Sequence, residues 1–172
     1  YSKIGMKRAN TCLSGLGNKI KYIDISDDGK WLCATCKDYI LIINTTHNDN
    51  NIDKTGFQKS IPLKSRPRPY ILRLKPKDIQ KYQIRNVSFT AAKFDNSNES
   101  GFTEQWIIST TGPYIIKWNF NKLKKAGIVN DYSIRRAKSS VISSQFRFKH
   151  NKDLLISERD SVYAQHLKNK KQ

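Results

Sequence analysis

The sequence has 172 residues, which is enough for one domain with an ordinary hydrophobic core. Its 32 Lys and Arg residues against 14 Asp and Glu residues give a formal net charge of +18, which favours acidic partners over basic ones. No apolar run is long enough to form a membrane-spanning helix, and three cysteines are too few for a disulfide-rich scaffold.

The first predicted elements are short strands separated by tight turns. Residues 19–26 predict a strand, and the Asp-Gly pair within 27–30 predicts a hairpin turn. Residues 31–36 and 39–46 are continuously apolar or small, which is typical of strands buried on both faces. A further strand is predicted within residues 56–61.

Cys33 and Cys36 lie in the second of these strands, with the spacing Cys-x-x-Cys. This spacing would suit half of a zinc site or a redox pair. A structural zinc site needs four ligands, however, and neither a second Cys pair nor a closely spaced His pair follows. We therefore interpret both cysteines as small apolar core residues of a protein from a reducing compartment.

A basic connection follows at residues 64–77, "KSRPRPYILRLKPK". Pro67 and Pro69 fix φ and remove two backbone donors, so this part is predicted to be extended and polyproline-like. Residues 70–74 predict a strand, and 76–83 predict a short helix with proline in its first turn. The connection is either a solvated loop or a basic ridge on one rim that binds an anion. The candidate binding residues are Lys64, Arg66, Arg68, Arg73, Lys75 and Lys77.

The strand pattern then recurs along the chain. The stretch "CATCKDYILIIN" (33–44) aligns without gaps with "ISTTGPYIIKWN" (108–119), and "LISERDSVYAQH" (155–166) is a weaker third copy. Further strands are predicted beside the second and third copies, at 87–95, 132–138 and 141–149, with a helix near 121–127.

Short antiparallel strands in repeated groups of four are typical of β-propeller blades. We predict an all-β region covering 1–172, part of a WD-like β-propeller with about three consecutive four-stranded blades and minor short helices. The predicted blades are 19–61, 70–138 and 139–168. An ordinary antiparallel sandwich is the alternative. The residues predicted to be largely buried between sheets are Trp31, Ile40, Ile42, Trp106, Ile107, Ile115 and Leu155.

Three blades would leave sheet edges and apolar faces uncovered. The start of the sequence also lacks an initiating methionine. We therefore expect the chain to be part of a longer protein whose preceding blades are its first partner, and we expect the isolated chain to self-associate.

Four long blocks of the sequence resemble the C-terminal region of the vacuolar import and degradation protein 27 family. They are "GLGNKIKYIDISDDGKWLCATCKDYILII", "GFQKSIPLKSRPRPYILRLKPKDIQKYQ", "SFTAAKFD" and "STTGPYIIKWN". The resemblance implies a WD-like propeller that follows further blades and a pleckstrin-homology-like portion. It also implies a cytoplasmic eukaryotic protein that is linked by name to delivery of a gluconeogenic enzyme to the vacuole for degradation. A peripheral position on vesicles is an additional expectation. It supplies no catalytic or ligand-binding residues.

The motifs of common enzymes are absent from the sequence, including Gly-x-Ser-x-Gly, a phosphate-binding glycine-rich loop and His-Glu-x-x-His. We therefore predict a non-enzymatic protein-interaction scaffold without a cofactor. The alternative is a basic rim that binds anionic lipid headgroups, an acidic protein or nucleic acid. Nucleic acid is the weakest of these partners because no RNA-recognition motif is present. An enzyme whose site lies elsewhere in a parent protein is a third hypothesis.

Overall fold

The computed structural model describes residues 11, 13, 17–49, 52–56, 60–95, 104–138, 140, 141, 143–146 and 153–166. Within them the chain forms short antiparallel strands and two short helices. Cys12 and parts of the predicted strands at 56–61 and 141–149 lie outside the described residues.

The first sheet has four antiparallel strands in the order β1-β2-β3-β6. A separate hairpin, β4-β5, lies between β3 and β6 in the chain. The strands are β1 Tyr22–Ile25, β2 Trp31–Thr35, β3 Ile40–Asn44, β4 Thr46–Asp49, β5 Ile52–Thr55 and β6 Tyr70–Leu72.

Helix α1, Pro76–Lys81, leads from the first sheet to the second. The second sheet has the order β7-β8-β9-β10, and helix α2, Phe120–Ala126, joins its last two strands. Its strands are β7 Lys93–Phe94, β8 Trp106–Thr111, β9 Tyr114–Asn119 and β10 Tyr132–Arg136. A third sheet contains β11 Ser143–Phe146, β12 Asp153–Ser157 and β13 Val162–His166.

The two central hairpins share one register, as the gapless alignment predicted. Trp31 pairs with Asn44 in the first sheet, and Trp106 pairs with Asn119 in the second. The two asparagines also act alike. Asn44 accepts a hydrogen bond from the backbone of Thr46, and Asn119 caps α2 by accepting one from the backbone of Lys122. The predicted antiparallel pairing of both hairpins is therefore confirmed.

The fourth strand of the first sheet differs from the prediction. Residues 60 and 61 form no strand, and the sheet is completed by Tyr70–Leu72, which pairs with Ile40–Ile42. The sequence prediction had placed this strand at the start of the next blade. Because a hairpin and the proline-rich stretch intervene, the chain returns to the same sheet later than the local pattern suggested.

The main core lies between the first two sheets. One face of the first sheet contributes Cys33, Ile40 and Ile42, and the facing side of the second contributes Ile107 and Trp118. A second cluster joins the other face of the second sheet to the third sheet, with Ile108, Ile115 and Ile156 at its centre. A small third cluster lies on the outer face of the first sheet, and it includes Ala34, Cys36, Tyr39 and Leu41.

Burial confirms the four predicted core isoleucines, which are at most 3% exposed. Trp31, Trp106 and Leu155 are partly buried, and they are therefore less buried than the four isoleucines. The two tryptophans stand at the ends of their hairpins, where Trp106 is covered by the Lys117 ammonium group, 4.1 Å from its ring centroid. The fully buried tryptophan is Trp118, in the middle of the core.

Candidate anion-binding cleft

A cleft of about 760 Å³ opens at one end of the first sheet. The start of β1, the turn between β2 and β3, and the end of β6 all lie at this end because the strands are antiparallel. The connection through α1 forms the opposite wall. The cleft is therefore built by the sheet ends and by the segment that leads to the second sheet.

The lining combines cations with an apolar floor. Leu74 and Ile84 are buried members of the main core, and Ile79 and Val87 pack against that core. The exposed basic side chains around them are Lys19, Lys21, Lys37, Arg73 and Arg85.

The cleft is strongly unbalanced in charge. Against its five cations stands one carboxylate, Asp38, whose Oδ1 accepts a hydrogen bond from Asn18 Nδ2 at 3.4 Å. Within the described parts of the chain, none of the five cations forms a salt bridge. Clefts lined by one sign of charge concentrate the opposite sign, so this one attracts anions.

The wall formed by the connection is fixed by backbone hydrogen bonds. Helix α1 ends in a Schellman motif, in which Ile84 N donates to Ile79 O and Gln83 N donates to Gln80 O. Gln83 takes the left-handed position of this motif, with φ of 53°. Farther along, Phe89 N donates to Lys37 O at 2.8 Å. These bonds hold the connection against the β2–β3 turn.

The second sheet also anchors α1. Tyr132 of β10 donates from its hydroxyl to Asp78 Oδ2 at 2.5 Å and accepts from Lys75 N at 2.7 Å. Burial and the bond to the Asp78 carboxylate raise the pKa of Tyr132 to about 12. Tyr114 Oη donates to Tyr82 O at 2.7 Å. The cleft wall is thus attached to both sheets.

Among the six residues of the predicted basic ridge, only Arg73 lines this cleft. Its guanidinium carbon lies 5.0 Å from the centroid of the Tyr39 ring. Lys75 lies instead near the Tyr132 ring, with 5.8 Å between Nζ and the centroid. Arg73 and Lys75 therefore contact rings of different sheets.

The other four ridge residues follow the connection. Lys64 lies in a 3-10 turn at Leu63–Ser65, and Lys77 lies in the first turn of α1; both are exposed, as is Arg68. Arg66 is partly buried, and its Nε lacks a hydrogen-bond partner among the described residues. The ridge as a single binding surface stays a prediction.

Sequence reasoning missed four cations of the cleft, Lys19, Lys21, Lys37 and Arg85. They are far apart in sequence, and none lies in a basic run as dense as 64–77. The available signal was their position at strand ends. Lys37 occupies the predicted two-residue link between the strands at 31–36 and 39–46, and Lys19 and Lys21 lie at the start of the predicted strand at 19–26. An antiparallel sheet brings these positions to one end.

The predicted core role of the cysteines is confirmed. Cys33 and Cys36 are fully buried free thiols that belong to different clusters on the two faces of the first sheet. Burial raises the pKa of Cys33 well above its ordinary value, so this thiol stays protonated. In the part of the chain that the structure describes, no group of three His, Cys, Asp or Glu side chains is placed to hold a metal.

Comparison with known proteins supports the repeated sheets. The family model described as the VID27 C-terminal WD40-like domain matches residues 1–172. The chain belongs to this family. It is 34% identical over 178 residues to vacuolar import and degradation protein 27 of Saccharomyces cerevisiae, an alignment that covers 100% of the chain and 22% of that relative. The protein of the same name from Schizosaccharomyces pombe is 33% identical over 166 residues, with 94% of the chain and 20% of the relative covered.

The predicted family resemblance is confirmed by these matches. The chain spans about a fifth of the length of both relatives. Its antiparallel four-stranded sheets are consistent with part of a β-propeller. No helix among the described residues is both long and apolar enough to cross a bilayer.

Proposed function

We propose that this domain is a non-enzymatic protein-interaction scaffold that acts in vacuolar import and degradation, in the cytoplasm of a eukaryotic cell. The observation that carries the proposal is membership of the VID27 C-terminal WD40-like family over the whole chain. Both relatives named above are called vacuolar import and degradation proteins. The partners are other proteins and further parts of the parent chain.

The architecture supports a binding role. Two four-stranded sheets of equal register pack around one core. The turns and connections between their strands lie outside that core, at the ends of the strands. Binding residues concentrate on such connections because a rigid sheet positions them. The cleft at the end of the first sheet is formed by such a turn and such a connection.

A cell-based experiment tests the proposed role. The parent gene is replaced by a version that lacks this domain, and the half-life of a vacuole-directed cargo protein is measured by pulse-chase labelling. We expect slower cargo loss and restoration by the intact gene. Proximity labelling of the parent protein with and without the domain provides the second readout. Vacuolar-degradation proteins should be labelled by the intact parent protein and not by the version that lacks the domain. An unchanged cargo half-life together with an unchanged set of neighbours would contradict the proposal.

A basic rim that binds anionic lipid headgroups is the second candidate function. Lys64, Arg68 and Lys77 support it, because all three are exposed along one connection. The substitutions K64E and R68E should leave folding intact, since exposed charges contribute little to stability. They should weaken sedimentation with phosphatidylserine vesicles, whereas K30E with K125E makes the same change in net charge at exposed positions outside this connection. Equal vesicle binding by both double variants would argue against a specific rim.

A further inference from the structure

We propose that the cleft at the end of the first sheet is a docking site for an acidic segment of a partner protein that carries an apolar side chain among its carboxylates. The inference rests on the proposed interaction role and adds to it the site and the chemistry of the partner. It depends on three properties of the cleft, which are its charge, its floor and its rigidity.

Charge selects an anionic partner. Five exposed cations surround the cleft, and Asp38 is the single acidic residue in its lining. The guanidinium group of Arg73 lies over the Tyr39 ring, which leaves the edge of the guanidinium group available for a carboxylate. The cations come from the start of β1, the β2–β3 turn, the end of β6 and the segment after α1, so they are spread around the cleft and do not converge on one point.

The floor selects an apolar group as well. Leu74, Ile79, Ile84 and Val87 line the cleft between the cations. A lipid headgroup or a free phosphate is entirely polar and would leave this apolar surface without a contact. A peptide with acidic residues on both sides of one apolar residue matches both parts of the lining. A volume of about 760 Å³ accommodates a few residues of such a peptide.

The lining is preorganised. Leu74 and Ile84 belong to the main core, and the bond from Phe89 N to Lys37 O holds the two walls together. The left-handed turn at Gln83 directs Arg85 and Asn86 to the cleft. A rigid site loses little conformational entropy when it binds, so a short segment can bind here.

Fluorescence anisotropy of a labelled peptide with the full chain tests the inference. The probe is a short peptide rich in Asp and Glu with one central leucine, and its partner probe has serine in place of that leucine. We expect the leucine peptide to bind about tenfold more tightly than the serine peptide. Binding should weaken as the ionic strength rises toward about 1 M, where the Debye length is about 3 Å.

Charge reversal locates the site. We expect K37E with R85E to weaken binding of the leucine peptide by about tenfold or more. The matched control is K30E with K125E, which makes the same change in net charge at exposed positions on the opposite end of the sheets and should bind as the unmodified chain does. The pair K37Q and R85Q removes the two charges without reversing them. It should weaken binding by a smaller factor. Circular dichroism of every variant separates lost binding from lost folding.

Three results would overturn the inference. They are equal peptide binding by the cleft and control variants, equal affinity for the leucine and serine peptides, or cleft-dependent binding of phosphatidylserine or phosphoinositide vesicles without peptide binding. The first places the acidic segment elsewhere, and the other two exclude the apolar floor from recognition. These peptide-binding results are independent of the cargo half-life measured in cells. Failure of the docking-site proposal is therefore distinguishable from failure of the proposed scaffold role.

Discussion

The first and second sheets share a register but differ in the burial of one face. On this face each sheet carries an equivalent row of three paired residues. The rows are Ile25, Leu32 and Ile43 in the first sheet, and Phe94, Ile107 and Trp118 in the second. Ile25 is 45% exposed, whereas Phe94 is 4% exposed. The row of the second sheet packs against the first sheet, and the row of the first sheet packs against no other sheet among the described residues.

The difference shows that strand pairing and burial have separate causes. Pairing within a sheet follows from the apolar runs and the turn of each hairpin, so it is the same in both sheets. Burial of a face requires a neighbouring sheet, because a strand face becomes dry only when another layer covers it. Ile23 is 59% exposed and Ile25 is 45% exposed because no sheet among the described residues covers them, although both are as apolar as their buried counterparts.

The largest expected effect contrasts the middle residues of the two rows. Ile107→Ala should lower the free energy of unfolding by about 2–5 kcal/mol because it leaves a cavity in the main core. Leu32→Ala should cost clearly less, since Leu32 is only partly buried and the surrounding solvent can fill the space. Urea denaturation of both variants, monitored by tryptophan fluorescence, measures the contrast. Equal losses would mean that the outer face of the first sheet is covered in solution.

The sequence predicted much of this fold because its signals were local. The Asp-Gly turn, the apolar runs and the gapless repeat identified both central hairpins, and Pro76 marked the start of α1. The fourth strand of the first sheet was misplaced because it follows a hairpin insertion and so lies far along the chain from its partner strand. Only Arg73 of the cleft was predicted, since its other cations meet through tertiary packing. Trp118 is more buried than Trp106 for a similar reason, because burial depends on which face of the second sheet meets the neighbouring sheet.

The second effect concerns Tyr132, which ties the outer strand of the second sheet to the helix that follows the first. Tyr132→Phe should cost about 1.5–3 kcal/mol, because Asp78 loses a donor and Lys75 N loses its acceptor. The folded-state pKa of about 12 lies above the ordinary value of 10.0, so this tyrosine stabilises the fold fully below pH 10 and less as the pH rises through 12.

Alkaline denaturation measures this second effect. The difference in stability between the unmodified chain and Tyr132→Phe should shrink between pH 10 and 12. Tyr70→Phe is a suitable control, because Tyr70 is also partly buried and packs against the same core. A difference that stays constant over this range would show that the Tyr132 hydroxyl does not depend on Asp78.

The third effect lies at the contact between β1 and β7, the first strands of the two sheets. Asp24 Oδ2 accepts from Phe94 N at 2.9 Å. Burial raises the pKa of Asp24, and the hydrogen bond from Phe94 only partly offsets that effect. Because the folded-state pKa is raised, the fold loses stability as the pH rises from 3.8 through the folded value, and the ionised carboxylate carries a cost at neutral pH.

Two substitutions separate the charge of Asp24 from its hydrogen bond. Asp24→Asn keeps an acceptor for Phe94 N and removes the charge, so it should match or exceed the stability of the unmodified chain at pH 7. Asp24→Ala should cost about 1–2 kcal/mol, because Phe94 N loses its acceptor. Thermal unfolding at pH 4 and pH 7 tests both. A large loss for the asparagine variant at pH 7 would show that the carboxylate charge itself stabilises the contact between β1 and β7.

The smallest effect compares the ends of the two helices. Helix α2 ends at Gly127 with φ of 66°, whereas Gln83 takes the left-handed position after α1 with φ of 53°. A residue with a Cβ atom is strained there, and glycine is not. Gln83→Gly should therefore raise the free energy of unfolding by about 0.5–1 kcal/mol, the net of relieved strain and greater freedom of the unfolded chain. Gly127→Ala is the converse change and should lower it, since alanine would be strained in the same conformation. Chemical denaturation measures the free energy of unfolding of both variants. If Gln83→Gly lowers it, the glutamine side chain stabilises the cleft wall by more than the backbone strain at this position costs.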